Sequence, residues 1–169
     1  MKSSSKARLK KPYKEQKLKR TIEDLLRNGN NPADAVMALT DVYTGTNDFA
    51  NADEAKRKMR EWVGKNDNFH PHAAQHDFEA WLLPYWDCVQ RVAGKKRKAP
   101  TGFPENVNHG RPPSYHIREL FETGLRSYSK VRDAGRILEG KDLTIAANAC
   151  PELKAFLNTI LTLSGGTPL

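Results

Sequence analysis

A short, nearly continuous apolar run, DAVMALTDVY at residues 34–43, restricts the fold more than any other feature of this sequence. It lacks the alternation of polar and apolar residues that a half-exposed strand shows, so it predicts a strand that is buried on both faces. Helical patterns flank it at 14–29 and 52–66, and a second extended segment follows at 68–78. The order helix–strand–helix–strand–helix predicts an α/β fold with parallel strands joined by right-handed crossovers.

The rest of the chain predicts helices and loops around a small sheet. Two strands are few for an independent sheet, so the sheet is small, mainly parallel and short of a strand. Apolar periodicity predicts further helices at 114–124, 127–140 and 143–163. The sequence therefore divides into a basic, flexible head (1–20), an α/β core (21–94), a basic and proline-rich loop (95–113), a helical C-terminal extension (114–164) and a tail (165–169).

Positive charge is concentrated at the start of the chain. The formal net charge is +8, and residues 1–20 alone carry that excess, so the remainder is balanced. A second basic cluster, GKKRKAP, occupies residues 94–100. Such patches attract the phosphate backbone of nucleic acids without sequence preference, and a solubilising surface is the alternative. The candidates for nucleic-acid or phosphate contact in these two regions are Lys10, Lys11, Lys95, Lys96, Arg97 and Lys98.

Targeting signals and cysteine pairs are not evident. No apolar run approaches the roughly 18 residues that a membrane span requires. The first 20 residues contain no apolar signal-peptide region, so we expect a cytoplasmic protein that does not enter a membrane. Cys88 and Cys150 lie far apart and are expected to be small buried residues in a reducing compartment.

Acidic residues follow both predicted strands. Asp41 ends the first, and His76, Asp77 and Glu79 lie where the second gives way to a helix. If the strands are parallel neighbours, their carboxyl ends bring these side chains together, where open α/β sheets bind ligands. Converging carboxylates suit Mg²⁺ or Mn²⁺. The alternative is that Asp41 caps a turn, Asp77 caps the helix and Glu79 complements the helix dipole.

Basic side chains in the second half of the chain are candidates for phosphate binding. Arg111, Lys130 and Arg132 lie in RPPSYH and SYSKVRD, the second of which also contains Tyr128. A Lys or Arg near a helix start could neutralise a phosphate in the cleft. The alternative is that these side chains form surface ion pairs with acids such as Glu119 or Asp133.

Several stretches together resemble one known family. ALTDVYTG, HDFEAWLLPYW, PENVNHGRPPSYHIREL, SYSKVRDAGRIL and CPELKAFLNTIL occur in this order over residues 34–164. They resemble an uncharacterised TOPRIM-like family of bacteria and phages, often catalogued as a domain of unknown function. The resemblance implies a TOPRIM-like α/β core with a helical C-terminal extension. TOPRIM domains of topoisomerases, primases and overcoming-lysogenisation-defect nucleases use a divalent metal ion for phosphoryl transfer.

The resemblance assigns roles to a few positions. It implies Asp41 and Glu79 as metal-binding and catalytic residues, Asp77 as a further metal ligand, and Lys130 as the catalytic lysine that engages phosphate. The usual Asp-x-Asp is here Asp41-Val42-Tyr43, so its second carboxylate is absent. Relatives begin with a strand ending in Glu-Gly, and this chain shows none, so we expect a shortened member or a site that another chain completes.

Two functions are consistent with the sequence. The first is a Mg²⁺- or Mn²⁺-dependent phosphoryl-transfer or nuclease-type protein connected with phage defence, in which Asp77 or His76 supports the metal ligands. The second is a non-catalytic TOPRIM-like module that binds nucleic acid or protein. The sequence specifies neither the substrate, whether DNA, RNA or nucleotide, nor the oligomeric state.

Overall fold

A computed structural model describes residues 10–27, 31–43 and 48–169 of the chain. The first two helices and the two strands alternate, and the remaining helices follow. The α-helices are α1 (Lys10–Arg27), α2 (Ala52–Val63), α3 (Trp86–Ala93), α4 (Pro113–Thr123), α5 (Lys130–Leu138), α6 (Leu143–Ala149) and α7 (Pro151–Leu163). The strands are β1 (Val36–Asp41) and β2 (Phe69–Ala74), and short 3₁₀ helices span Phe78–Tyr85 and Pro104–Asn106.

The two strands form one parallel sheet in the described part of the chain. Val36 pairs with Phe69 and Asp41 with Ala74, so both strands end at the same edge. The mixed α/β class and the small parallel sheet that the sequence predicts are therefore confirmed. The 3₁₀ helix ends immediately after Pro84, and α3 begins at Trp86, because proline cannot donate the hydrogen bond that would continue the helix.

Burial of the strands differs from the prediction. β2 is almost wholly buried, whereas β1 is only partly buried and Leu39 is 43% exposed. The prediction that β1 is buried on both faces is wrong, because β1 pairs only with β2 within the described ranges and α7 packs against β2. The apolar run is thus an edge strand.

The largest hydrophobic cluster joins the predicted core to the helical extension. The 3₁₀ helix Phe78–Tyr85 and α3 contribute Leu82 and Val89, which pack in one cluster with residues of α4 to α7 such as Phe121 and Ile137. A second cluster lies between α1, α2 and the sheet and includes Ile22, and Cys88 and Cys150 are both buried and free. In the described residues, no helix is long and apolar enough to cross a membrane.

Some helix boundaries differ from the expectation. α1 begins at Lys10, inside the predicted basic head. α4 begins one residue before the expected position, because Pro112 occupies the cap position and Pro113 is the first helical residue. Proline is favoured there, since the first N–H groups of a helix have no partner within it. Two helices, α6 and α7, follow α5, with Cys150 between them.

A substitution at Gly124, at the end of α4, would test how closely α4 packs against α3. A Cβ atom there would lie 2.3 Å from the backbone oxygen of Ala93. We expect Gly124→Ala to lower the free energy of unfolding by about 1–3 kcal/mol, measured by urea denaturation. Gly135→Ala in α5 is the control: its Cβ would meet nothing within 4 Å, and we expect a gain of about 0.5–1 kcal/mol from helix propensity. Equal stabilities of Gly124→Ala and the parent protein would contradict the close approach of the two helices.

Candidate active site at the carboxyl edge of the sheet

The predicted acids meet at the carboxyl edge of the sheet. Asp41 is the last residue of β1, and Asp77 follows β2. Asp41 Oδ1 accepts a hydrogen bond from the backbone N–H of Phe78 at 2.9 Å, which ties the end of β1 to the start of the 3₁₀ helix. Asp41 therefore caps a neighbouring turn, as one alternative predicted. Its second oxygen, Oδ2, accepts a hydrogen bond from Lys130 Nζ at 3.0 Å.

A sharp turn at His76 places the acids that follow β2. His76 has a φ of 64°, a left-handed conformation that is unfavourable for a residue with a side chain. Its backbone oxygen accepts a hydrogen bond from the N–H of Tyr43 at 2.5 Å, which fixes the turn to the end of β1. The His76 side chain does not line the cleft that the acids form, and burial lowers its pKa.

Asp77 is buried and half satisfied. Its side chain is 3% exposed, and Oδ2 accepts a hydrogen bond from the backbone N–H of Ser114, in the first turn of α4, at 3.1 Å. Oδ1 is buried without a hydrogen-bond partner in the described part of the chain. Burial, assisted by the charge of Asp41, raises the pKa of Asp77 despite the opposing effects of Ser114 and Lys130. Asp77 does not cap the 3₁₀ helix that it precedes, so that alternative is wrong.

Glu79 is the most deeply buried acid of the cleft. It is 1% exposed, and neither carboxylate oxygen has a hydrogen-bond partner among the described residues. Its nearest cation is Lys130, whose Nζ lies 3.3 Å from Oε2, within ion-pair distance. Burial and the neighbouring charge of Asp77 raise the pKa of Glu79, and Lys130 opposes them. The Tyr128 hydroxyl is also buried without a partner there, and burial and the charge of Glu79 raise its pKa.

Lys130, the first residue of α5, connects the acids. Its Nζ lies 3.0 Å from Asp41 Oδ2 as well as 3.3 Å from Glu79 Oε2, and it lies 5.3 Å from the centre of the Phe78 ring. Burial would lower the pKa of Lys130, but the hydrogen bond to Asp41 and the charge of Glu79 outweigh it, so the pKa is raised. The ammonium group thus occupies a position between two of the predicted metal ligands.

These side chains line an open cleft of about 920 Å³. α4 contributes Ser114 and Arg118, which were not predicted as site residues. Residues four apart lie on the same face of a helix. Once Ser114 is placed at the cleft, the spacing therefore indicates that Arg118 also reaches it. Among the described residues, no group of three or more His, Cys, Asp or Glu side chains is arranged to hold a metal ion. Instead, Asp41 and Glu79 are close to the ammonium group of Lys130.

The remaining predicted phosphate-binding residues lie outside this cleft. Arg111 stacks over the ring of Tyr115, with 4.1 Å between Cζ and the ring centre. Arg132 pairs with Asp133 at 2.8 Å, as the ion-pair alternative predicted. The residues of the basic cluster, Lys95, Lys96, Arg97 and Lys98, are exposed, and Arg97 pairs with Glu119 at 2.7 Å. The side chains of Lys10 and Lys11 lie outside the described residues.

Comparisons with known proteins give a family match. The family model described as "Domain of unknown function (DUF4276)" matches residues 2–161, a range that contains both strands, the cleft and most of α7. No curated protein and no solved structure matches the chain.

Proposed function

Since the chain belongs to the DUF4276 family of domains of unknown function, we propose from the cleft that it is a Mg²⁺- or Mn²⁺-dependent phosphoryl-transfer protein of TOPRIM-like character. The substrate class is a phosphate ester of nucleic acid or nucleotide. A nuclease reaction, a cytoplasmic location and a role in phage defence belong to the same proposal and rest on the sequence and its resemblance alone.

The orphaned carboxylate oxygens of Asp77 and Glu79 carry the proposal. Buried polar atoms are nearly always hydrogen-bonded, and an unpaired buried charge costs several kcal/mol. Here three buried oxygens without a hydrogen bond lie on two acids beside one cleft, and only Glu79 Oε2 among them is within ion-pair distance of Lys130. Buried oxygens that lack hydrogen bonds are typical of groups that a bound ion completes. A hard divalent cation prefers carboxylate oxygens of this kind.

Asp41, Asp77 and Glu79 are the residues that would hold the ion. When bound, the ion would neutralise phosphoryl oxygens and lower the pKa of a coordinated water. The ammonium group of Lys130 contacts Asp41 Oδ2 and Glu79 Oε2, so it would have to leave these oxygens when a metal ion binds. Because its side chain is 46% exposed, the freed ammonium group can reach a phosphate in the cleft. Arg118 lines the same cleft and offers a second cation.

A second function is favoured by the position of Lys130. Its ammonium group already compensates Asp41 and Glu79, and no ready-made metal cluster exists in the described ranges. A cleft of this kind could bind phosphate through Lys130 and Arg118 without a metal ion, as a non-catalytic module for nucleic acid or for a protein partner.

Calorimetric titration with Mn²⁺ separates the two functions. We expect the parent protein to bind Mn²⁺ and expect Asp41→Asn and Glu79→Gln to weaken binding by at least about tenfold. Glu61→Gln is the control, because Glu61 is an exposed acid of α2 that pairs with Arg57, away from the cleft. A parent protein that binds no Mn²⁺ removes the metal-dependent proposal and favours the binding module. Cleavage of single-stranded DNA, duplex DNA and RNA by the Mn²⁺-loaded protein then identifies the substrate.

A further inference from the structure

A smaller pocket of about 260 Å³ lies between the basic cluster and α4. α4 contributes Ser114 and Arg118 to the cleft but His116 to this pocket. A step of two residues turns a helix by about 200°, so His116 faces away from the side that carries Ser114. The pocket is therefore separate from the cleft of Asp41, Asp77 and Glu79.

The lining of this pocket is basic. Arg97, Lys98, His109 and His116 all contribute, and no carboxylate lines it in the described part of the chain. The nearest acid in contact with this group is Glu119, which forms an ion pair with Arg97 at 2.7 Å. The backbone of the basic cluster is held in place, since Trp86 Nε1 donates to the carbonyl of Arg97 at 2.7 Å. The backbone that carries Arg97 is thus held beside the cavity.

His116 has an unused ring nitrogen at this pocket. Its Nε2 is buried and has no hydrogen-bond partner among the described residues. The ring of His109 lies 6.2 Å away, centre to centre, and His109 Nε2 donates to the backbone oxygen of Thr101 at 3.0 Å, which leaves Nδ1 available. In a neutral imidazole the nitrogen that carries no hydrogen is an acceptor, and both ring nitrogens are donors only in the cationic form. Beside Arg97 and Lys98, a cationic imidazole with one uncommitted nitrogen can donate to an oxyanion. Two histidines alone are too few for a structural zinc site, and the neighbouring cations oppose one.

We propose that this pocket binds a phosphate group, which comes from the backbone of a nucleic acid or from a free nucleotide. Arg97 and Lys98 supply charge, and each imidazole supplies a directed hydrogen bond in its cationic form, in which both ring nitrogens are donors. A tetrahedral phosphate fits the pocket's volume and its basic lining. This site goes beyond the proposed reaction at the cleft and does not depend on it.

Histidine ring signals in ¹H–¹⁵N spectra test the proposal on the full chain. Titration with sodium phosphate, against sodium chloride at matched ionic strength, should shift the His109 and His116 signals to saturation, while His70 and His72 serve as internal references. Arg97→Gln should weaken this binding by about tenfold, the loss expected for one charge-assisted contact. Arg57→Gln is the matched control, because Arg57 also pairs with a glutamate, Glu61, on another surface. Equal shifts with chloride, or unchanged phosphate affinity in Arg97→Gln, would overturn the proposal.

Two further variants keep the test independent of folding and of the cleft. His109 is exposed, so His109→Gln should retain the fold and lose affinity for phosphate even if His116→Gln is unstable. Glu79→Gln should bind phosphate here as the parent protein does, and Arg97→Gln should bind Mn²⁺ normally. Loss of the His116 shift in Glu79→Gln would place the phosphate in the cleft and refute the separate site.

The source of the phosphate follows from competition with the same signals. A single-stranded oligothymidylate that binds at a lower phosphate concentration than adenosine monophosphate identifies the nucleic-acid backbone. The reverse order identifies a free nucleotide. If neither compound shifts His109 and His116, the proposed recognition of a phosphate ester is refuted.

Discussion

Glu79→Gln is expected to raise the free energy of unfolding near neutral pH by about 1–3 kcal/mol, although it removes a proposed metal ligand. The carboxylate of Glu79 is buried, and neither oxygen accepts a hydrogen bond in the described part of the chain. Glutamine has nearly the same shape without the charge. Lys130 keeps its ion pair with Asp41 at 3.0 Å, so the substitution leaves no cation isolated.

The pH dependence of this gain follows from the raised pKa of Glu79. Between the unfolded and the folded pKa, the folded protein binds more protons than the unfolded chain does, so the stability of the parent protein falls as the pH rises through this window. Below the unfolded pKa of about 4.3, Glu79 is protonated in both states and the gain disappears. Urea denaturation at about pH 4 and about pH 8 should therefore give a difference between Glu79→Gln and the parent protein only at the higher pH.

Glu105 is the matched control for this prediction. It is also buried, at 6% exposed, but its oxygens accept hydrogen bonds from Trp81 Nε1 at 2.9 Å and from the backbone N–H of Glu152 at 3.1 Å. Glutamine has only one oxygen, so Glu105→Gln places its amide nitrogen beside the N–H of Glu152 or of Trp81, and we expect a loss of about 1–3 kcal/mol. If Glu79→Gln loses stability as Glu105→Gln does, this result contradicts the claim that the Glu79 carboxylate is buried without hydrogen-bond partners.

Lys130→Met is expected to reduce stability and to tighten Mn²⁺ binding at the same time. Without the ammonium group, Asp41 and Glu79 lose their shared cation. We expect a loss of about 1–3 kcal/mol near neutral pH, less than for a fully buried pair because Lys130 is half exposed. Mn²⁺ should bind at least about fivefold more tightly, since it no longer competes with Lys130, and saturating Mn²⁺ should restore the lost stability. Catalysis should nevertheless fall, because Lys130 is the proposed phosphate ligand.

Lys56→Met distinguishes this effect from the loss of an ordinary ion pair. Lys56 pairs with Glu152 at 2.8 Å and with Asp53 at 3.0 Å, away from the cleft. Its replacement should lower the free energy of unfolding, and Mn²⁺ should stabilise this variant by the same increment as the parent protein. If Mn²⁺ stabilises Lys130→Met no more than Lys56→Met, then Lys130 does not share its partners with a cation, and the binding module without metal is favoured.

The position of the acids could be predicted because it follows from local rules. An apolar run that ends at Asp41 and a strand-to-helix junction at Asp77 place both side chains at the carboxyl edge of a parallel sheet. The roles proposed for Lys130 and Glu79 rest on the resemblance, since spacing alone is also consistent with helix caps and surface ion pairs. That resemblance to a TOPRIM-like family remains a proposal, whereas the closeness of Lys130 to Glu79 is observed.

Burial and hydrogen-bond partners could not be predicted in the same way. β1 is the more apolar strand yet the more exposed one, whereas β2, with its His-Pro-His sequence, is buried. α7 covers β2, and the ring of His72 packs edge-on against Phe156 at 5.4 Å. The partner of Asp77, Ser114, is likewise 37 positions distant. Such contacts depend on which helix from a distant part of the sequence packs against the sheet, and no local sequence pattern specifies this.

The separation of these contacts along the chain also determines when the site can exist. Lys130 reaches Asp41 across 89 positions, and Asp77 reaches Ser114 across 37. Closing the longer of these loops costs more entropy than pairing the strands, whose partners such as Val36 and Phe69 are much closer along the chain. We therefore expect the contact of Lys130 with Asp41 to form after the sheet. The strands can pair and leave the carboxylates of Asp41 and Glu79 in water before α5 brings Lys130 to them. Desolvation of the carboxylates, and with it any special reactivity, therefore belongs only to the completely folded chain.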